Sequence, residues 1–281
     1  MNLNKVWAFS LYEVRRAVAR KKVLALVVLT ILIDTIPYYL LRTSAPTLFT
    51  VSENPYAWVL GIFVPQGFFL PFTALLIAAG SMSEEYEQGT AEVLLSKPVS
   101  RDEFLAGKFT GGYMLLTMVI LLNAALSVTA ATLAFGGQMS LGVLPAVVVS
   151  QVFSSVVFYS LAFMSGELVR RSSLSYVLAS AVYFTSEIAG IYLRVIYEFT
   201  GNVFYQHLNF YLPTTPGSSL TVLIAQPGLQ APAFAILQLV GIGATETSIP
   251  FSVGLILAYA LTAIILTRLH FSWADISKRV A

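Results

Sequence analysis

The polar segment formed by residues 81–108 concentrates ionisable side chains in a sequence that is otherwise poor in them. Charged residues make up only 11% of the 281 residues, yet this segment carries six of the 14 acids. They are Glu84, Glu85, Glu87, Glu92, Asp102 and Glu103. Carboxylates in this density can form a docking surface for a partner protein, or they can lie at helix N-termini, where the helix dipole favours them. The segment is therefore either a docking surface or a solvated connector.

Local signals within this segment predict two short helices joined at a proline. Two serine–glutamate pairs have the spacing of a capping box, in which each side chain satisfies a backbone N–H at a helix start. The pairs are Ser81 with Glu84 and Ser100 with Glu103. Pro98 ends the first helix just before it, and the glutamates supply that helix with a charged face. Gly89, which costs a helix up to about 1 kcal/mol, indicates either a break or the close approach of another backbone.

Motifs for catalysis and nucleotide binding are absent from the sequence. Gly107-Lys108 is followed by Phe109 and lacks the upstream glycine of the phosphate-binding loop G-x-x-x-x-G-K-[ST]. Cysteine is absent, and the two separated histidines, His207 and His270, are too few for a histidine metal cluster. A net charge of +2 is no footprint of nucleic-acid binding. We therefore expect no enzyme, metal site or nucleic-acid partner, and any ATP-driven activity requires a separate ATP-binding subunit.

Two acids fall inside apolar runs, where a carboxylate costs about 2.5–3.5 kcal/mol. Asp34 either has a functional role or lies near the wet outer surface, and Glu187 either lines a polar path or hydrogen-bonds a neighbouring helix. Both would suit an ion-coupled transporter or channel, which is the alternative to an ATP-driven one. Pro65 and Gln66 belong to an apolar run that also contains Pro71, and the two prolines predict a kink in it. This kinked segment either lines a cavity or gate or simply packs in a bundle.

The composition of the sequence predicts that these residues are positioned by helices that cross a membrane. The chain is 57% hydrophobic, its mean hydropathy is +0.78, and a soluble fold cannot bury that much apolar surface. About 20 mainly apolar residues span the hydrocarbon core of a bilayer. Six runs qualify, at residues 23–41, 58–80, 109–134, 143–166, 174–193 and 250–268. We expect an all-α membrane protein with six transmembrane helices, in which residues 23–281 form the transmembrane domain.

The distribution of lysine and arginine orients these spans. With the N-terminus inside, 14 of the 16 basic residues are cytoplasmic, and only Arg42 and Arg194 lie outside. Both termini are then on the cytoplasmic side of the cell membrane, and residues 194–249 form a long external segment between spans five and six. Within it, residues 231–244 are expected to form an external helix that packs on the bundle or dips into the interface.

Residues 1–22 are expected to form a cytoplasmic helix that lies flat in the headgroup layer. Leu3, Trp7 and Val18 belong to an apolar face at helical spacing, whereas Glu13 and Arg16 belong to the opposite, polar face. Basic helices that carry tryptophan bind membrane interfaces in this way. A soluble helix that leads into the first span is the alternative.

The segment 81–108 resembles a stretch of the type-2 ABC-transporter permeases. Residues 84–90 read EEYEQGT, residues 94–101 read LLSKPVSR, and Gly107-Lys108 follows. In that family a similar stretch follows the second span. The amphipathic N-terminal helix, the six spans and the cytoplasmic termini also look like that family, so the resemblance extends over essentially the whole chain.

This resemblance implies a pair of permeases, identical or homologous, above two ATP-binding subunits that hold ATP and Mg. The segment after the second span would be a coupling helix in a groove of the ATPase, and the interfacial helix would touch the same subunit. The matching residues are Glu84, Glu85, Tyr86, Glu87, Gly89 and Thr90, with Arg101, Gly107 and Lys108 where the chain re-enters the membrane. The resemblance also implies export, and the apolar spans favour an amphiphilic or hydrophobic substrate.

Overall fold

A computed structural model describes residues 2–19, 21–44, 49–96, 99–240, 242 and 247–273. The described part is helical, as predicted, and contains no strand. Its α-helices are α1 Leu3–Ala19, α2 Lys22–Ser44, α3 Trp58–Gly67, α4 Phe69–Glu87, α5 Thr90–Leu95, α6 Arg101–Phe135, α7 Leu144–Val169, α8 Ser172–Thr200, α9 Val203–Phe210, α10 Thr214–Ala225, α11 Ala231–Leu239 and α12 Ile249–Trp273. The predicted proline elbow at Lys97 and Pro98 lies outside the described residues.

Five of the described helices are long and apolar enough to cross a membrane on their own, namely α2, α6, α7, α8 and α12. The pair α3 and α4 qualifies only when taken together, and it is bent by 48°. These elements correspond in order to the six expected spans. Helix α7 lies at the centre, where it packs against α4, α8, α10 and α12. Gly166 allows a close approach of α7 to the backbone of α4, because a Cβ there would lie 2.5 Å from the carbonyl oxygen of Ala79.

The predicted kink in the second span is a break at Phe68, bracketed by two prolines. Pro65 has no N–H to offer the carbonyl of Gly61, four residues earlier. The side-chain amide of Asn123 on α6 donates to that carbonyl instead, at 3.1 Å. A proline inside a membrane helix is tolerated when a neighbouring helix satisfies the freed carbonyl in this way.

The second proline follows the same rule on the other side of the break. Pro71 frees the carbonyl of Gly67, and the Tyr183 hydroxyl on α8 donates to it at 2.5 Å. The break is therefore stabilised by α6 on one side and by α8 on the other. Helices α3 and α4 therefore meet at a hinge whose freed backbone carbonyls both have hydrogen-bond donors.

Helix α1 lies against α6 and leaves its apolar face uncovered. Leu3, Trp7 and Val18 are 73%, 55% and 57% exposed, which suits a helix in the headgroup layer. The polar face is different from the sequence expectation. Glu13 is buried and Arg16 is half-buried, because this face packs inward on α6 rather than facing water.

The two predicted capping boxes have opposite outcomes. Ser100 accepts from the backbone N–H of Glu103 at 3.2 Å, and Glu103 accepts from the N–H of Ser100 at 3.0 Å, so the box that begins α6 is confirmed. The box at Ser81 is wrong, because α4 runs continuously through this residue to Glu87. The helix breaks at Gly89, where φ is +67°, a conformation that favours glycine.

The long segment before the last span is built from short helices. Helix α8 extends to Thr200, beyond the predicted end of the fifth span, and α9, α10 and α11 follow it. Helix α11 has nine residues, too few to cross a bilayer. It buries Ala233, Ile236 and Leu237 in the cluster that surrounds α3, which agrees with a helix packed on the bundle.

Candidate functional site

Lys108 is a fully buried cation at the point where α1, α4 and α6 meet. Its ammonium lies 2.5 Å from a carboxylate oxygen of Glu13 on α1 and also pairs with Glu85 on α4. Glycine allows this approach, because a Cβ on Gly111 would lie 2.7 Å from the Cβ of Glu13. Burial of an ammonium group is costly unless carboxylates pair with it, and two carboxylates do so here.

Arg16 adds a second cation to the same site. Its guanidinium donates to Glu85 and lies 3.8 Å from carboxylate oxygens of both Glu13 and Glu84. Thr90 on α5 donates to Glu85 as well. We call Glu13, Arg16, Glu84, Glu85 and Lys108 the ionic joint. It fastens the N-terminal helix α1 to the ends of α4 and α6, and Thr90 connects α5 to it.

A second group of polar contacts lies at the same end of the bundle. The Tyr86 hydroxyl donates to Glu167 on α7 at 2.5 Å, and Arg170 and His270 lie 3.1 Å from the other oxygen of that carboxylate. The Arg170 guanidinium also covers the Tyr86 ring, 4.5 Å from its centroid. These contacts connect the end of α4 with the ends of α7 and α12.

Glu87 and Arg101, which lies in the first turn of α6, make further contacts between helices at this end of the bundle. Glu87 accepts from the backbone N–H and the hydroxyl of Ser172, at 2.8 and 2.7 Å, and so caps α8. Arg101 donates to the carbonyls of Phe271 and Ser272 at the end of α12. The end of α4 is thereby joined to the start of α8, and the start of α6 is joined to the end of α12.

The structure brings the nine predicted coupling residues to one end of the molecule. Their placement differs from the expected charged face, because Glu85 is buried and Glu84 is half-buried. Both point into the ionic joint, since the cations of α1 and α6 lie there. Exposed positions near the α4–α5 turn are Glu87, Gln88, Glu92, Val93 and Ser96. Contact of this end with an ATPase stays a prediction.

Sequence reasoning missed the partners that lie far away in the chain. Glu13 and Arg16 were assigned only to the polar face of the N-terminal helix, Glu167 was not singled out, and His270 was considered only as a metal ligand. The one signal for Glu13 is that it is the only acid in a basic amphipathic helix. Its partner Lys108 is 95 residues away, so periodicity could not reveal the pair.

A cavity of about 570 Å³ lies toward the opposite end of α8. Gln66 and Glu187, two of the residues predicted on a translocation path, line it together. Asp34 and Pro65 do not line it. A translocation path that includes all four residues stays a prediction.

Asp34 is enclosed by protein, and the wet outer position considered for it is wrong. It is 1% exposed, because α2 continues past Pro37 to Ser44 and packs on α6. Both of its carboxylate oxygens accept from the side-chain amide of Asn123, at 2.8 and 2.9 Å. Asn123 therefore joins Asp34 on α2 to the freed carbonyl of Gly61 on α3.

Comparison with known proteins agrees with this architecture. The sequence matches the family described as "ABC-2 family transporter protein" over residues 7–276. It is also similar to the "Probable ABC transporter permease protein NosY" of Stutzerimonas stutzeri, with 31% identity over 121 residues. That similarity covers 42% of this chain and 44% of the relative, so it spans less than half of either.

The family match covers almost all of the 281 residues, and the apolar helices have the lengths that a membrane requires. The resemblance read from residues 84–108 is thereby confirmed. The chain belongs to the ABC-2 transporter family and is an integral membrane protein, the permease subunit of an ABC transporter.

Proposed function

We propose that this permease is driven by a separate ATP-binding subunit that docks at the α4–α5 end of the bundle. The observation that carries the proposal is the ionic joint, in which Lys108 and Arg16 hold α1, α4 and α6 together beside the short helix α5. A partner that moves α5 would move all of these helices, since Thr90 binds α5 to the same carboxylate.

Helix α4 is the element suited to carry such a movement into the membrane. It has 19 residues and therefore a length of about 28 Å. One end is fixed in the ionic joint and the other ends at the hinge at Phe68. Because the freed carbonyls beside the hinge already have partners on α6 and α8, the angle between α3 and α4 can change without exposing them to lipid.

The complex proposed here contains two permeases, identical or homologous, and two ATP-binding subunits that hold ATP and Mg. The α4–α5 end and both termini face the cytoplasm. An amphiphilic or hydrophobic substrate leaves outward between the two permeases. Family membership supports the ATP-driven arrangement over an ion-coupled carrier that uses Asp34 and Glu187.

Purification of the tagged protein from its native membrane in mild detergent tests this proposal. We expect a soluble subunit with a phosphate-binding loop to be recovered in an amount equal to the permease, as identified by mass spectrometry. If the chain instead purifies alone and moves solute across liposomes without ATP, the ATP-driven function is wrong.

A further inference from the structure

The cavity has the size and shape of a small-molecule site within one subunit. It lies among α3, α7, α8 and α10, and its volume of about 570 Å³ is within the range of about 300–1,000 Å³ that ligand pockets occupy. Helix α8 contributes a stripe at helical spacing. The stripe consists of Glu187, Gly190, Ile191, Arg194, Tyr197 and Glu198.

Among the hydrogen-bonding groups at the cavity wall, one buried acceptor atom has no donor in the described part of the chain. Gln66 donates from Nε2 to the Gly217 carbonyl at 3.1 Å and to Thr221 at 2.6 Å. A carbonyl can only accept, so this contact fixes the orientation of the amide and makes its oxygen an acceptor. Gln151 donates from Nε2 to that oxygen at 3.2 Å and to the Ile62 carbonyl at 2.9 Å.

Gln151 thus has both amide hydrogens in use and its oxygen unused. The side chain lines the cavity and is only 2% exposed, yet its Oε1 has no hydrogen-bond partner among the described residues. A buried acceptor of this kind is destabilising unless something donates to it. Because Nε2 of Gln151 donates to Ile62 and Gln66, the atom without a partner is the amide oxygen, and its missing partner must be a donor.

A carboxylate in the cavity also favours a hydrogen-bond donor, and its negative charge favours a cationic one. Glu187 is half-buried on the cavity stripe and makes no hydrogen bond or ion pair with another described residue. Arg194 lies two turns farther along α8, where it is exposed together with Glu198, and its charge acts on Glu187 from there without forming an ion pair. The charged residues of the lining therefore sum to −1.

Aromatic side chains complete the chemistry of the wall. Phe158 and Tyr183 line the cavity, and their rings lie 5.2 Å apart between centroids. An aromatic face attracts a cation placed over it. An unpaired carboxylate, an unpaired amide oxygen and aromatic rings together favour a cationic hydrogen-bond donor with an apolar body.

We propose that this cavity binds a small solute that carries a protonated amine. The ammonium donates to Glu187 and to Oε1 of Gln151, and the apolar part of the solute packs on the aromatic wall. This inference goes beyond the ATP-driven function, because a site within one subunit needs neither nucleotide nor a partner.

Dansylcadaverine is a suitable probe, since it joins an environment-sensitive fluorophore to a primary ammonium group. We expect saturable binding to the full chain in lipid nanodiscs, above the signal from empty nanodiscs. Dansyl-aminocaproic acid has the same fluorophore but ends in a carboxylate, and we expect it to bind at least about tenfold more weakly, since a hydrogen bond to a charged group would be lost.

Substitutions in the cavity distinguish binding of the probe at this site from its partition into the lipid bilayer. We expect Glu187→Gln to weaken the binding of dansylcadaverine about tenfold or more and Gln151→Leu about threefold or more. Glu53→Gln is the matched control outside the cavity, and its affinity should equal that of the unsubstituted chain. Size-exclusion profiles show whether each variant is folded, and Glu187→Gln alone decides the question if Gln151→Leu does not fold.

Equal binding of the ammonium and carboxylate probes would overturn the proposal, as would an unchanged affinity in folded Glu187→Gln. So would a signal no larger than that of empty nanodiscs. These measurements contain no ATP and no ATPase, so their failure leaves the ATP-driven function untouched, and failure of that function leaves the binding site untouched.

Discussion

The carboxylates that neutralise Lys108 come from α1 and α4, not from its own helix α6. This one side chain therefore contributes to the contacts among three helices. Its substitution by methionine keeps the length but leaves Arg16 as the only cation that contacts Glu13 and Glu85 among the described residues. Breaking a buried pair in this way costs about 3–5 kcal/mol. We therefore expect Lys108→Met to lower the free energy of unfolding in detergent by about that amount.

Two further variants make this prediction specific. Lys21 is exposed, so Lys21→Met should unfold like the unsubstituted chain. The double variant Lys108→Met with Glu85→Gln should recover part of the loss, because it removes one of the carboxylates that Arg16 would otherwise have to neutralise alone. A Lys108→Met protein as stable as the original would contradict the buried pairing.

Asp34 is a second buried ionisable side chain, but its surroundings lead to the opposite expectation. Its oxygens accept from Asn123, and no cation among the described residues pairs with it. Oδ1 of Asn123 has no partner in the described part of the chain. An asparagine at position 34 could accept from Asn123 and also donate to that oxygen.

We therefore expect Asp34→Asn to be at least as stable as the original chain and to retain activity. Asp34→Leu should lose about 1–3 kcal/mol, because it leaves the Asn123 amide with an unmet donor. Thermal unfolding measures the first point and ATP-dependent transport the second. Loss of transport in a stable Asp34→Asn protein would instead favour the ion-coupled mechanism.

At the scale of elements, the contact between α1 and α6 depends on glycine. A Cβ on Gly111 would lie 2.7 Å from the backbone oxygen of Ser10, so a larger residue must push α1 away. The sequence has no cysteine, which allows a single reporter to be introduced at Ser10, where the side chain is 1% exposed.

We expect Ser10→Cys to react slowly with a maleimide and to react about tenfold faster when Gly111→Val is added, in line with a local opening that becomes about 1.4 kcal/mol easier. Gly254→Val is the control, because a Cβ at this helical position meets nothing within 4 Å. Equal labelling rates in the two double variants would show that α1 is not held against α6 as described.

Elements determined by nearby residues were predictable, and contacts between distant elements were not. The spans follow from runs of apolar residues, the start of α6 follows from Ser100 and Glu103, and the break in the second span follows from Pro65 and Pro71. The box at Ser81 failed because the same spacing also occurs inside a continuous helix. There the hydroxyl of Ser81 donates to Glu13 at 3.1 Å instead.

The candidate sites show the same division. The sequence identified the end of the bundle at residues 84–108, since its polar composition contrasts with the spans. It could not show that Glu85 faces inward, because its partners Lys108 and Arg16 come from other helices. The cavity was also beyond prediction, since Gln66, Gln151 and Glu187 meet only when α3, α7 and α8 pack together.

For the whole molecule, one helix connects the two candidate sites. Helix α4 extends from the ionic joint to the hinge at Phe68, and the residues on either side of the hinge, Gly67 and Leu70, line the cavity. A change at the α4–α5 end can therefore alter the wall of the cavity. This geometry supports a permease in which the partner acts at one end and the solute site responds near the other.

Photo-crosslinking from α5 tests the central claim most directly, that an ATP-binding subunit docks at this end. Val93 is 62% exposed on α5, and Val203 is 50% exposed on α9 at the far end of the molecule. Each becomes the only cysteine when substituted, and each can carry benzophenone maleimide in native membranes. We predict that Val93→Cys crosslinks to an ATP-binding subunit, with a yield that changes on adding ATP, and that Val203→Cys does not. Crosslinking of that subunit from Val203→Cys but not from Val93→Cys would contradict the account.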